Sequence, residues 1–246
     1  MHIIMVGKLA MKLAAMGQFS FVLLACWMQA VICSTGNYID MFSLLDFKKQ
    51  IRLDPQQALM SWNDSTHFCS WKGVRCSVKK PSRVTSLNLT KQGLVGQISP
   101  SLGNLTFLKI LVLSANSFLG EIPMSLGHLH NLQMLDLDNN TLQGKIPALA
   151  NCSMLTWLSM GWNQLTGEIH VDLPNRLEFL KLGSNNLTGN VPASLGNITT
   201  LKKFSCAANN IEGSIPDEVA NLLGLQVLFL GLNKVGFHGP SWIFLI

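Results

Sequence analysis

Residues 108–131, LKILVLSANSFLGEIPMSLGHLHN, carry apolar side chains at the first, fourth and sixth places, Asn at the ninth, Phe at the eleventh, Gly at the thirteenth and an Ile-Pro pair beyond it. The skeleton returns at Leu132, Leu135, Leu137, Asn140, Leu142, Gly144, Ile146 and Pro147, and again at Leu155, Leu158, Met160, Asn163, Leu165, Gly167 and Ile169. It returns at Leu177, Leu180, Leu182, Asn185, Leu187, Gly189, Val191 and Pro192, and at Leu201, Phe204, Cys206, Asn209, Ile211, Gly213, Ile215 and Pro216. A period of about 24 residues held this closely excludes an ordinary globular core, because each unit must stack on its neighbours.

Each place in the unit has a physical task. The alternating apolar places at the front describe a short strand with one buried face. One strand cannot bury that face alone, so stacked units share a continuous core. The ninth-place asparagines, Asn116, Asn140, Asn163, Asn185 and Asn209, stand where the chain leaves the strand. A side-chain amide both donates and accepts, so it can satisfy turn backbone that water no longer reaches. The Gly permits close approach or positive φ, and the Pro fixes φ where no ladder donor is needed.

This spacing is the signature of the leucine-rich repeat, and the G-x-I-P half resembles the plant class of these repeats. That class occurs in receptor-like kinases, receptor-like proteins and polygalacturonase-inhibiting proteins. The resemblance covers residues 84–233, about six to seven units. It implies a horseshoe solenoid with parallel β-strands on the concave face, a 3-10, short helical or irregular convex side, and a small helical N-terminal cap.

The cap is expected over residues 37–80. Residues 40–53, DMFSLLDFKKQIRL, place Phe42, Leu45 and Ile51 at helical spacing, and Asp54-Pro55 would end that helix and start a second short one. Cys69 and Cys76 flank a turn glycine, an arrangement that favours a disulfide in a secreted chain; metal ligation is the competing reading, but no second Cys/His pair at zinc spacing follows. The block L-L-x-F-K, I-x-x-D-P, S-W-N and C-x-W-x-G-V-x-C resembles the N-terminal cap of plant leucine-rich-repeat proteins. On that resemblance Trp62 and Trp71 pack on the first repeat. Cys152 and Cys206 fall on leucine places and read as small buried hydrophobes.

Residues 1–33 hold Lys8 and Lys12 followed by FSFVLLACWMQAVICS, which reads as a signal peptide cleaved near Cys33 to Gly36. An uncleaved anchor is the rival, but the apolar run is short for a span and is interrupted by Gln29. The first unit, from Val84, has Gln92 and Ser99 in place of Asn and Pro; the third is a residue short, and the fourth puts His170 where Pro belongs. The seventh opens with Leu225, Leu228, Leu230 and Asn233, and the pattern fails over 234–246. That apolar, uncapped tail reads as a truncation. Sequons stand at Asn63, Asn88, Asn104, Asn139, Asn151, Asn186 and Asn197, and with the leader they point to a secreted glycoprotein.

No phosphate-binding loop, kinase loop set, H-E-x-x-H or G-x-S-x-G is present, so neither catalysis nor a metal or other cofactor is expected. The net charge of +5 comes without a dense basic run interleaved with aromatics, which excludes nucleic acid as a partner. The basic cluster Lys72, Arg75, Lys79, Lys80 and Arg83 reads as a solvated face, and His128 and His130 as solvent-facing. Membrane attachment would require a missing C-terminal segment or the uncleaved leader.

What remains is the concave sheet. Its third-place side chains are Ser86, Ile110, Met134, Trp157, Phe179 and Lys203; its fifth-place side chains are Asn88, Val112, Asp136, Ser159, Lys181 and Ser205. Trp162 and Ser184 stand at the eighth place. Trp157, Trp162 and Phe179 are candidate interface anchors, with Asp136, Asp138, Ser159, Lys181 and Lys203 adding polar complementarity. The alternative is that the aromatics only cover the irregular fourth repeat. The resemblance implies the extracellular recognition region of a plant receptor-like kinase of the immune-receptor-like subfamily, with a peptide or protein ligand on the concave face and a co-receptor kinase ectodomain as second partner. A secreted inhibitor of pathogen hydrolases and a non-functional receptor fragment are the other readings.

Overall fold

The computed structural model describes residues 37–79, 82–169 and 172–234. The expected leader at 1–33 and nearly all of the expected tail at 234–246 lie outside these residues, as do Lys80 and His170.

Strands Val84–Asn88, Ile110–Val112, Met134–Asp136, Trp157–Ser159, Phe179–Lys181, Lys203–Ser205 and Val227–Phe229 pair in parallel, each with the next, at a register of one repeat. The cap strand Val74–Cys76 joins antiparallel to Val84–Asn88 and completes an eight-stranded sheet. The leucine places feed one continuous core: Leu108, Leu111, Leu113, Leu132, Leu135, Leu137, Leu177 and Leu182 are all buried, with their counterparts in the neighbouring units. Cys152 and Cys206 lie in that core, and burial pushes their thiols up to about 11 and about 12.

A second sheet runs along the other edge of each turn. Val95–Gln97, Ser117–Glu121, Thr141–Lys145, Gln164–Glu168 and Asn186–Thr188 pair in parallel, and the cap strand Ile51–Leu53 closes the sheet antiparallel to Val95–Gln97. The residue pattern does not announce this sheet, because places ten to fourteen hold one buried apolar residue among polar ones and a Gly. The Gly has two uses. In later units it takes positive φ, as at Gly120 (+80°) and Gly167 (+81°), where an L side chain would be strained. In the first unit Gly96 makes room for the cap strand, since a Cβ there would strike the Gln50 carbonyl oxygen. Short 3-10 helices Pro100–Asn104, Met124–His128, Ala193–Asn197 and Asp217–Asn221 fill the convex return. The shortened third and fourth units return through turns among the described residues.

The asparagine ladder forms as its spacing predicts. The Asn185 amide donates to the carbonyls of Met160 and Leu182, both at 3.0 Å, and its oxygen accepts the Leu165 N–H at 3.0 Å. Asn116, Asn140, Asn163 and Asn209 repeat this pattern of two carbonyls and one N–H of the preceding unit, and Asn233 continues it. Just before each rung the eighth-place residue has left-handed backbone: Lys91, Ala115, Asn139, Trp162, Ser184, Ala208 and Leu232. These side chains share no chemistry, so the turn imposes the conformation on them.

The cap corrects the sequence reading in three places. Its helix spans 37–49 and buries Asp40, Ser43, Leu44 and Phe47, an i, i+3, i+4, i+7 face; Phe42 is exposed and Ile51 lies in a strand. Asp40 is fully buried because the Arg83 guanidinium donates to it through Nε at 3.0 Å and Nη2 at 2.8 Å, and the Val84 N–H donates at 2.8 Å. Arg83, which also lies over the Phe107 ring, therefore belongs to a buried ion pair and not to a solvated basic face; Lys72, Arg75 and Lys79 are exposed. Asp54 organises turns and no second helix: its carboxylate accepts the N–H groups of Ala58 and Leu59, both at 2.8 Å.

Trp62 stacks on Trp71, and the Trp62 indole donates to the Lys72 carbonyl at 3.0 Å. Phe47 links Trp62 to Phe118 of the second unit, so the cap aromatics are structural. Cys69 and Cys76 are joined in a disulfide, which removes the metal reading.

Candidate ligand-binding face

Parallel pairing at a one-repeat register turns the third and fifth places into straight rows across the concave sheet. Met134, Trp157, Phe179 and Lys203 are successive partners in one row; Asp136, Ser159, Lys181 and Ser205 are successive partners in the other. The register places Trp157 over Phe179, and their rings stack with centroids 3.8 Å apart and planes 8° apart. Trp157 remains 37% exposed and Phe179 is half-buried, so the pair offers a planar apolar surface to solvent. Trp162 is 61% exposed on its left-handed eighth-place turn (φ +51°), and it stacks on no ring among the described residues.

The polar candidates divide. Lys181 and Asp138 pair at 2.7 Å, and the Ser159 hydroxyl donates to the other Asp138 oxygen at 3.2 Å. That geometry buries Ser159 to 4% exposure, so it supports the pair from below and is not a free surface group. Asp136 is half-buried. Burial pushes its carboxyl above the ordinary carboxylate range; the Asp138 N–H and the Ser114 hydroxyl oppose the rise, the Asp138 charge adds to it, and the Lys181 charge counters it. Lys203 is exposed in the same rows. Val112 is covered at 8% exposure, whereas Phe229, in the seventh unit and beyond the rows read from the sequence, is 56% exposed on the same sheet.

Asn63, Asn88, Asn104, Asn139, Asn151, Asn186 and Asn197 are all exposed, while the buried ladder asparagines Asn140, Asn185 and Asn209 lie outside any sequon. His128 and His130 are exposed, and the His130 ring contacts the Asn151 carbonyl oxygen at 2.9 Å. No helix of the described residues is long and apolar enough to cross a membrane.

A capped solenoid with an asparagine ladder, a second sheet and an open concave face defines the class: the chain belongs to the leucine-rich-repeat proteins, and it is homologous to the ectodomains of plant leucine-rich-repeat receptor kinases. The leucine rich repeat N-terminal domain matches residues 40–77, and leucine rich repeats match residues 106–165 and 176–198. The LRR receptor-like serine/threonine-protein kinase EFR of Arabidopsis thaliana is 48% identical over 83 residues, a match that covers 33% of this chain and 8% of that protein. The chain thus aligns with under a tenth of that relative's length. Among solved structures, the Arabidopsis receptor kinase HAESA in complex with the peptide hormone IDA and the co-receptor SERK1 is 36% identical with a TM-score of 0.68, covering 78% of this chain and 33% of that one. The BIR2 ectodomain from Arabidopsis thaliana is 31% identical with a TM-score of 0.59, covering 82% of this chain and 95% of that one.

Proposed function

We propose that the chain is a ligand-recognition module of the plant receptor-kinase ectodomain type, and that it binds a peptide or protein segment across its concave sheet. The observation that carries this reading is the Trp157–Phe179 stack, an apolar surface that the register builds and leaves partly open to solvent. The module acts by binding and has no catalytic role of its own. HAESA, a relative in fold and sequence, is solved with a peptide hormone and a co-receptor; by analogy a co-receptor ectodomain is the second partner here. We further propose that residues 1–33 are a leader removed on secretion, that the exposed sequons carry glycans outside the cell, and that the module stands at the plasma membrane when it is part of a longer receptor.

The test uses the full chain secreted from plant cells, immobilised and exposed to the peptide fraction of plant extracellular fluid, with retained peptides identified by mass spectrometry. Trp157→Ala with Phe179→Ala should lower affinity for those peptides by about 2 kcal/mol or more and leave secretion unchanged. Retention that is the same for both proteins would show that the aromatic pair is not the binding surface.

A further inference from the structure

The concave rows hold one cation and one anion that the fold does not use on each other. Lys181 and Asp138 neutralise one another at 2.7 Å. Asp136, in the same unit as Asp138 and two strands before Lys181, faces the like charge of Asp138, the already paired Lys181 and the Ser114 hydroxyl. Lys203 lies two strands beyond Trp157, and no ion pair engages it among the described residues. Between the two charges stands the Trp157–Phe179 stack.

The register converts this into a length. Asp136 and Lys203 are three strand spacings apart along the stack and two residues apart across it, which is about 14 Å by about 7 Å. An extended peptide advances about 3.3 Å per residue and presents every second side chain to one face. Residues i, i+2 and i+4 therefore face the sheet together over about 13 Å, and a lysine's flexible stem closes the remaining gap.

On the reading that this face binds peptides, we infer that it selects an extended segment with opposite charges four residues apart and an apolar or aromatic side chain midway. The segment's cation meets Asp136, its anion meets Lys203, and its central side chain lies on the Trp157–Phe179 stack. Half-burial leaves the Asp136 carboxylate under-solvated, and a bound cation relieves this. Charge at the two ends sets register along the strip, while the aromatic pair supplies most of the contact area.

The experiment titrates the full secreted chain with short synthetic peptides built on Lys-Ser-Phe-Ser-Glu. The comparison peptides place the charges next to each other, or carry Lys at both ends, or Glu at both ends. The opposite-charge, four-apart peptide should bind roughly three- to tenfold tighter than the others, with the advantage shrinking as salt rises. Lys203→Glu should move the preference to the Lys/Lys peptide, and Asp136→Lys to the Glu/Glu peptide. Lys203 is exposed, so its variant reads the preference even if Asp136→Lys folds poorly. Equal affinity across the panel, or no binding by any member, overturns the charge-spacing inference. If binding still depends on Trp157 and Phe179, the recognition face survives that result; if binding persists without both rings, the recognition face fails as well.

Discussion

The asparagine ladder and the concave third-place row lie a few residues apart in every unit, and they invert the usual distribution of side chains. On the ladder side polar groups are buried: Asn140, Asn185 and Asn209 are under a tenth exposed, and in the cap Asp40 is fully enclosed. On the concave side large apolar groups face solvent: Trp157, and near it Trp162 at the eighth place. The ladder repeats because the backbone presents the same unsatisfied carbonyls and N–H groups at each turn, and one side chain answers them. The third-place row runs Ser86, Ile110, Met134, Trp157, Phe179, Lys203, because pairing fixes only its direction and leaves its chemistry free. Within one chain, sameness across units marks what the fold requires, and variety marks where another molecule can be read.

Substitutions test that division. Asp40→Ala should have the largest effect, about 3–5 kcal/mol of stability, because the Arg83 guanidinium is left partly buried without its partner. Loss of secreted protein and a lowered urea midpoint would report it; a near-neutral result would show that water replaces the carboxylate. Asn185→Ala should cost roughly 2–3 kcal/mol, since two carbonyls and the Leu165 N–H lose their partner together. Phe179→Ala sharpens the contrast: stability should change by about 1 kcal/mol at most, while peptide affinity falls by more than that. Unfolding as large as that of Asn185→Ala would make the aromatic pair a cover for the short fourth unit.

Trp162→Gly should leave the thermal midpoint nearly unchanged, because relief of a left-handed backbone offsets the extra freedom of glycine in the unfolded chain. A clear drop would show that the indole packs. Asp136→Asn also has a small expected effect, and one that depends on pH. A carboxyl whose folded pKa is raised destabilises the folded state when ionised, and this penalty appears as pH rises through the folded pKa. The variant should therefore melt ~1–2 °C higher at neutral pH and match the parent once acid has protonated the parent's Asp136, as calorimetry across pH would record. Ligand binding should weaken in the opposite sense, falling as acid removes the Asp136 charge.

The ladder and the concave rows were legible in the sequence because both follow from spacing alone. Asp40 was not, since its partner Arg83 is remote in sequence and the exposed Phe42 suggested the wrong helical phase. The second sheet was hidden because its strands carry little apolar signal and a Gly within. The register of the rows was legible, but the loss of Ser159 and Lys181 to Asp138 was not, since it depends on how far side chains of neighbouring units reach. The seventh-unit Phe229 could have been found by carrying the same count one unit further.

The two buried thiols have a use as reporters. Cys152 sits in the third unit and Cys206 in the sixth, and with thiols raised to about 11 and about 12 neither reacts while its unit stays closed. A maleimide in the buffer would therefore record how often each unit opens, and the ratio of the two labelling rates would measure how stability is graded along the solenoid.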